Sequence, residues 1–209
     1  MFRDELGCLA TGEHLEVDES VTPTKLAARR LPIAVAQDVQ QELECLEKAG
    51  VITRVTDPTD WVSALVVERK SNGKLRLCLD PKPLNKALKR PIYPIPLVDD
   101  LLPRLGKAKV FMVCDARNGF WQLELELDEP SSHLTTMATP FGRYRWCRLP
   151  FGLPASPELL QEKLDRAIEG LEGIFAIFYD ILIIGEGGTM GEAEKEHDER
   201  LINLFEEQE

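Results

Sequence analysis

The 209-residue chain has no C-x-x-C pair, no internal repeat and no apolar run long enough to cross a membrane. Its five cysteines (Cys8, Cys45, Cys78, Cys114 and Cys147) are odd in number and widely spaced. That pattern argues against a disulfide framework or a structural zinc site. It favours an intracellular chain, cytoplasmic or nuclear, with reduced thiols. Cys114, inside an apolar run, reads as a small buried hydrophobe. The longest apolar run, residues 174–185, contains Asp180 and falls short of the roughly 20 residues a spanning helix needs. Met1-Phe-Arg-Asp-Glu lacks the apolar core of a secretory signal, so no membrane partner is expected. Basic charge is scarce as well: 25 Lys and Arg stand against 36 Asp and Glu, for a net charge of −11. That balance disfavours a nucleic-acid binder until the chain is divided. Residues 1–60 carry −6, residues 61–150 carry +6, residues 151–185 carry −4 and residues 186–209 carry −7. The middle of the chain is therefore the part able to attract phosphates.

What is present is a series of short elements. Residues 1–32 have weak periodicity and read as an extended arm, with breakers at Thr22-Pro23 and Leu31-Pro32. Val35, Val39, Leu43 and Leu46 follow helical spacing, and Gly50 stands where that helix would stop. Val51–Val55, Trp61–Lys70 and Leu75–Leu79 are strand-like. Asn72-Gly73 between the last two predicts a hairpin, because a type I′ turn needs positive φ at both central residues. Prolines 91, 94 and 96 make a stiff connector before a short helix over Leu97–Leu105. Val110–Cys114 reads as a buried strand ending at Asp115, and Phe120–Leu127 as a half-exposed one. Thr139-Pro140-Phe141-Gly142 suggests a turn ahead of a strand over Arg143–Leu149. Ser156-Pro157-Glu158 is a helix start, with Leu160, Leu164, Ala167 and Leu171 as the apolar stripe. Gly173–Phe178 and Ile181–Ile184 would be two strands hinged at Tyr179-Asp180, and residues 192–205 a helix with a small apolar face. The order of elements points to an α+β fold with a mainly antiparallel sheet.

Asp115 closes an apolar strand and Asp180 interrupts one. A carboxylate is costly to hold in apolar surroundings unless it is paired or coordinates a cation. Nucleotidyl transfer by two metals uses acidic oxygens converging from separate strands onto cations about 3.5–4 Å apart. Two such aspartates are also compatible with ordinary strand ends. Arg76, with Lys70 and Lys74 beside the Asn-Gly turn, makes a basic hairpin suited to gripping a triphosphate; a soluble edge hairpin is the plain alternative. Phe120, at a Gly-Phe bend, has the shape to sit beneath a sugar or simply to fill the core.

Five blocks then carry a specific resemblance. They are Trp61–Val67, Gly73–Asp80 with Leu84-Asn85-Lys86, Asp115–Gln122, Thr139–Tyr144 and Arg148–Leu153. In that order they resemble the reverse transcriptase of Gypsy-type LTR retrotransposons, and the match runs from about residue 12 to residue 204. The resemblance implies a reverse-transcriptase-like palm with a fingers subdomain. It divides the chain into an arm (1–32), fingers (33–106), a palm segment (107–128), fingers again (129–150), a palm helix with a hairpin (151–185) and an acidic tail or partial helix (186–209). It implies two Mg²⁺ ions at Asp115 and Asp180, with Lys70, Arg76, Ala116, Phe120, Phe151, Gly152 and Gln161 on the substrate side. The expected partners are a primed RNA or DNA template and deoxynucleoside triphosphates. No counterpart of the thumb, RNase H or integrase is found in these residues, so a truncated polyprotein domain is expected.

One departure stands out. Where the family's third motif has Asp-Asp, this chain has Tyr179-Asp180. A phenol is neutral at pH 7 and a poor Mg²⁺ ligand. An alternative alignment deletes one Asp and moves Asp180 into the first position, which would slip the strand register by one residue. Impaired RNA-directed DNA polymerase is therefore one expectation. A non-catalytic remnant that binds nucleic acid or protein is the other.

Overall fold

The computed structural model describes residues 6–70, 73–125 and 130–206. The order of elements begins β1 (Ala10–Glu13), α1 (Ile33–Lys48), β2 (Ile52–Arg54), β3 (Ser63–Arg69), β4 (Leu75–Asp80) and α2 (Leu84–Ala87). It continues with α3 (Val98–Leu105), β5 (Ala108–Asp115), β6 (Leu123–Leu125), α4 (Pro130–Leu134), β7 (Met137–Thr139) and β8 (Gly142–Trp146). The last elements are α5 (Ser156–Ala167), β9 (Ile174–Ile177), β10 (Asp180–Glu186) and α6 (Met190–Glu206). The chain forms two compact units, dividing at 91/92, 119/120 and 156/157. No helix among the described residues is long and apolar enough to cross a membrane.

One unit, Leu6–Pro91 with Phe120–Ser156, is built on a five-stranded sheet in the order β2-β8-β7-β3-β4. Its pairings are antiparallel except β3 with β7. Helix α1 buries Val39, Leu43 and Leu46, the stripe its spacing dictates, and ends where Gly50 takes φ +69°, a left-handed conformation that costs glycine little. Trp61, Val62, Ala64 and Leu65 are buried with Leu77 and Leu79, so the paired faces of β3 and β4 form the core.

The β3–β4 hairpin closes differently from the expected two-residue type I′ turn. Lys70 N–H donates to Lys74 O at 2.8 Å and Gly73 N–H to Lys70 O at 2.9 Å. Three residues therefore separate the closing pair, and Gly73 at φ +82° takes the bulge position that follows such a loop. Ser71 and Asn72, on which the type I′ expectation partly rests, lie outside the described residues.

Two further expectations change, and one helix was not expected. The extended arm contributes a strand: β1 pairs in parallel with β6, and Leu9 N–H donates to Gln122 O. The strand expected over Phe120–Leu127 shrinks to β6, preceded by a 3₁₀ turn at Gly119–Gln122; positions 126 and 127 are not described. Helix α4 has no periodic signature because polar side chains hold it. Ser132 Oγ and Thr135 Oγ1 donate to Trp146 O at 3.0 and 3.3 Å, and Trp146 N–H donates to Thr135 Oγ1 at 3.0 Å. Ser131, Ser132, Thr135 and Thr136 are fully buried; Thr136 Oγ1 donates to His133 O at 2.7 Å, a local backbone bond, whereas Ser131 Oγ accepts from the distant Leu15 N–H at 2.8 Å.

The other unit comprises Ile92–Gly119 and Pro157–Glu209. Its antiparallel sheet runs β5-β10-β9. Ile174, Ile183 and Leu204 form the centre of its core, flanked by Cys114, Ile168, Leu171, Ile181 and Leu201. Alternation along each strand puts Cys114, Ile181 and Ile183 on that covered face. Val113, Phe111 and the two strand-end aspartates fall on the opposite face. The acidic tail is a full helix, α6, that begins two residues before the expected start.

Candidate active site

In the β5–β10 ladder Asp180 is the direct partner of Asp115. Side chains opposite each other in an antiparallel pair share a face, with Cβ atoms about 4.5–5.5 Å apart. Both aspartates are exposed. Beyond this last pair the chains stay joined, since Ala116 N–H donates to Tyr179 O at 2.7 Å. The structure thus brings Asp115 and Asp180 to one strand end, where Ala116 is bound through its backbone N–H.

Asp180 also pairs with Ile177 of β9, which leaves Phe178 and Tyr179 as a two-residue turn. Phe178 sits at φ +57°, a position glycine normally fills. Gln161 holds that strained turn. Phe178 N–H donates to Gln161 Oε1 at 2.7 Å, and Gln161 Nε2 donates to Ala176 O at 2.9 Å. The same Nε2 reaches Asp165 Oδ1 at 2.9 Å, and Tyr93 Oη donates to Asp165 Oδ2 at 2.9 Å. The hydrogen bond to Asp165 raises the Tyr93 phenol above its usual range. Gln161 is fully buried, so in this structure its amide is engaged by the turn's backbone and by Asp165. Tyr93 and Asp165 were not legible as site residues; the i, i+4 spacing of Gln161 and Asp165 on α5 was the available signal.

Gln161→Leu keeps the volume but leaves the Phe178 N–H and Ala176 carbonyl without this partner. We expect a stability loss of about 2 kcal/mol, measured by urea unfolding, whereas Asp165→Asn loses less. An unfolding midpoint for Gln161→Leu equal to wild type would show that the amide does not hold the turn.

Tyr179 lies half-exposed in the turn, its ring tilted 6.2 Å from that of Phe178. Gly119 packs against it: a Cβ there would lie 3.0 Å from Leu160 Cδ2 and 3.6 Å from Tyr179 Cβ. Among the described residues no three His, Cys, Asp or Glu side chains come together as a metal cluster. The donor set fits one divalent cation, which Asp115 and Asp180 would hold with substrate oxygens completing its shell. It does not fit two cations on protein carboxylates, since the position before Asp180 holds Tyr179, which supplies no carboxylate.

The remaining candidates belong to the other unit. A cavity of about 570 Å³ is lined by Arg29, Arg76, Cys78, Asp80, Lys82 and Phe151, among others. The Arg76 guanidinium lies over the Phe151 ring, 4.9 Å from its centroid, and Phe151 meets Phe120 edge-on at 4.9 Å. Arg76 Nε is buried without a hydrogen-bond partner. Arg29 is ion-paired with Asp80, and burial pushes the Cys78 thiol up to about 11, which keeps it protonated and unreactive. Gly152 is needed in this wall: it has φ +110°, and a Cβ would fall 2.2 Å from Leu79 O. The structure thus gathers Arg76, Phe120, Phe151 and Gly152. Lys70 is exposed at the end of the hairpin and does not line the cavity.

Similarity to known proteins follows the same layout. An uncharacterized protein of Caenorhabditis elegans is 32% identical over 99% of this chain, and the Retrovirus-related Pol polyprotein from transposon 412 of Drosophila melanogaster is 34% identical over 75%. The chain spans only 16% and 13% of those relatives. The foamy viral protease-reverse transcriptase solved in complex with dsDNA superposes with a TM-score of 0.76 over 99% of this chain and 41% of that one, at 20% identity, a likeness of fold. Residues 68–206 match the family described as Reverse transcriptase (RNA-dependent DNA polymerase), and the chain belongs to that family.

Proposed function

We propose that this chain is the fingers-and-palm part of a Gypsy-type Pol polyprotein, which engages a primed RNA or DNA template and deoxynucleoside triphosphates but is impaired in nucleotide addition. The fingers correspond to residues 6–91 and 120–156 and the palm to 92–119 and 157–206. These boundaries follow the two compact units, at 91/92, 119/120 and 156/157, rather than the expected 106/107, 128/129 and 150/151. The order of the five sequence blocks supports the Gypsy-type assignment. The five free cysteines support a cytoplasmic or nuclear location.

One observation carries the reading of impairment. Asp180 faces Asp115 in register, and the turn position before it, which the family fills with Asp, holds Tyr179. The ungapped alignment is favoured over the one that deletes an Asp, because the two-residue turn has room for both Phe178 and Tyr179 without a slipped register. The basic, aromatic-walled cavity around Arg76 supports retained recognition of phosphate and base.

A primer-extension assay with Mg²⁺ tests the proposal. The wild-type chain is expected to add no detectable nucleotide, yet to retain primer–template at low ionic strength with an affinity that falls steeply as salt rises. Mg²⁺-dependent extension that disappears in Asp115→Ala would overturn the impairment. Failure to retain primer–template even at low salt would overturn the binding half and leave a remnant without nucleic-acid function.

A further inference from the structure

In the five-stranded unit the arm brings a charge to the cavity wall. Val62 N–H donates to Thr24 O at 3.1 Å, and Leu26 N–H donates to Val62 O at 2.8 Å. Lys25 bridges in parallel with Val62, and its ammonium lies 3.7 Å from the Asp60 carboxylate. Further along this anchored segment, Arg29 lines the cavity and pairs with Asp80. The two partners are unequally placed: the Arg29 side chain is 51% exposed and that of Asp80 only 14%. Asp80 is fixed at the end of β4, opposite Ala64 of β3. The strand therefore sets a carboxylate in the wall, and the arm supplies its counter-ion. Among the described residues the other charged groups of the wall are Glu68, Arg76 and Lys82. Glu68 and Arg76 are cross-strand partners.

We propose that Arg29 sets the anion specificity of this cavity: by neutralising Asp80 it allows Arg76 and Lys82 to bind the polyphosphate of a nucleoside triphosphate. The inference rests on the nucleotide-binding reading above and adds to it a residue of the arm. The cavity volume of about 570 Å³ lies within the roughly 300–1,000 Å³ of small-molecule sites, a size for a nucleotide rather than a duplex. Arg76 Nε is buried with no hydrogen-bond partner, and phosphate oxygens are the acceptors that a guanidinium fork fits. With Arg29 in place, the wall has three cations against two carboxylates. Without it, a carboxylate shielded from most solvent stands uncompensated beside the incoming anion and repels it. A guanidinium has more N–H donors than one carboxylate uses, so Arg29 can hold Asp80 and meet a phosphate oxygen together.

Calorimetric titration of the full chain with deoxythymidine triphosphate and with inorganic tripolyphosphate tests this. Omitting divalent cations keeps Asp115 and Asp180 out of the measurement. Arg29→Ala is expected to weaken both ligands by about tenfold, and Asp80→Asn to tighten both by about threefold or more. The double variant returns to within about threefold of wild type, since the charge balance of the wall is restored. Arg29→Lys keeps most of the affinity, because a point charge still neutralises the carboxylate. A damaged cavity would lose affinity in every variant, so the gain in Asp80→Asn and the recovery in the double variant separate charge from packing. If the wild-type chain binds triphosphate and both single variants match it, the role of Arg29 is overturned while the nucleotide site stands. Absence of triphosphate binding in both wild type and Asp80→Asn overturns the two together. A loss in Arg29→Ala that is equally large for primer–template would assign Arg29 to general attraction of nucleic acid and overturn the specificity.

Discussion

Tyr179→Asp is expected to bind Mn²⁺ or Mg²⁺ at least about tenfold more tightly than the wild-type chain, and to melt at a lower temperature when no divalent cation is present. Both effects have one cause. Asp115 and Asp180 already face each other across the β5–β10 ladder. Residue 179 is tied to the same strand end by the hydrogen bond from Ala116 N–H to its carbonyl. A third carboxylate there repels the first two; unit charges about 5 Å apart at an effective dielectric near 20 interact by roughly 3 kcal/mol before solvent screening. Exposure of the site reduces this, so the apo protein loses a smaller but measurable part. A bound divalent cation reverses the sign, since all three anions then attract it. By linkage, tighter binding to the folded state returns as stability, about 1.4 kcal/mol for each tenfold in affinity at saturating cation. Calorimetric titration and paired melts with and without Mn²⁺ measure the two halves separately. Tyr179→Asn is the control, similar in size to Asp but uncharged, and is expected to show neither effect. Equal cation affinity in the Asp and Asn variants would remove the claim that Tyr179 occupies a ligand position.

That experiment depends on a site of which half is legible in the sequence. Asp115 and Asp180 can be read there because an ionisable residue at the end or in the middle of an apolar run has few structural uses. Their pairing cannot, because strand register depends on which residues form the turn, and two alignments of Tyr179-Asp180 are open. Gln161 is legible only as a polar residue on an apolar helix. Its burial, and its grip on the Phe178 N–H, arise from a strained backbone that no spacing rule reveals. The β3–β4 hairpin is legible, yet its loop type is not, since Asn-Gly suits a two-residue turn and a bulged three-residue loop alike. Helix α4 is hidden because buried hydroxyls, rather than an apolar stripe, hold it. Across these cases the apolar periodicities carry element type and face. The polar contacts that fix turns and register emerge only in the folded chain.

Gly185→Ala is the second large effect expected, and it concerns the acidic tail, whose short apolar pattern only partly reveals a helix. Gly185 pairs with Val110 in the ladder, and α6 crosses directly over it. A Cβ built there lies 2.1 Å from Ala193 O, 3.0 Å from Ala193 C and 2.7 Å from His197 Cβ. Two of those three are helix backbone and cannot turn aside as a side-chain tip would. Ala193 and His197 are buried, so α6 has to lift away or the strand has to bend. Neither is local. Arg200 donates to Ile184 O at 2.7 Å, Glu186 N–H donates to Glu196 Oε2 at 2.6 Å, and Leu204 sits in the core with Ile174 and Ile183. Overpacking usually costs about 1–3 kcal/mol; with backbone as the obstacle and these hydrogen bonds broken together, a loss of about 4 kcal/mol is expected. Gly191→Ala makes the contrast. It lies on the same helix with nothing within 4 Å of its would-be Cβ, and the higher helix propensity of alanine should raise stability by a few tenths to about 1 kcal/mol. Urea unfolding compares the pair, and limited proteolysis at the glutamates of α6 reports whether the helix has left the sheet. If Gly185→Ala unfolds within about 1 kcal/mol of wild type and α6 stays protected, then Gly185 is not what lets the tail dock.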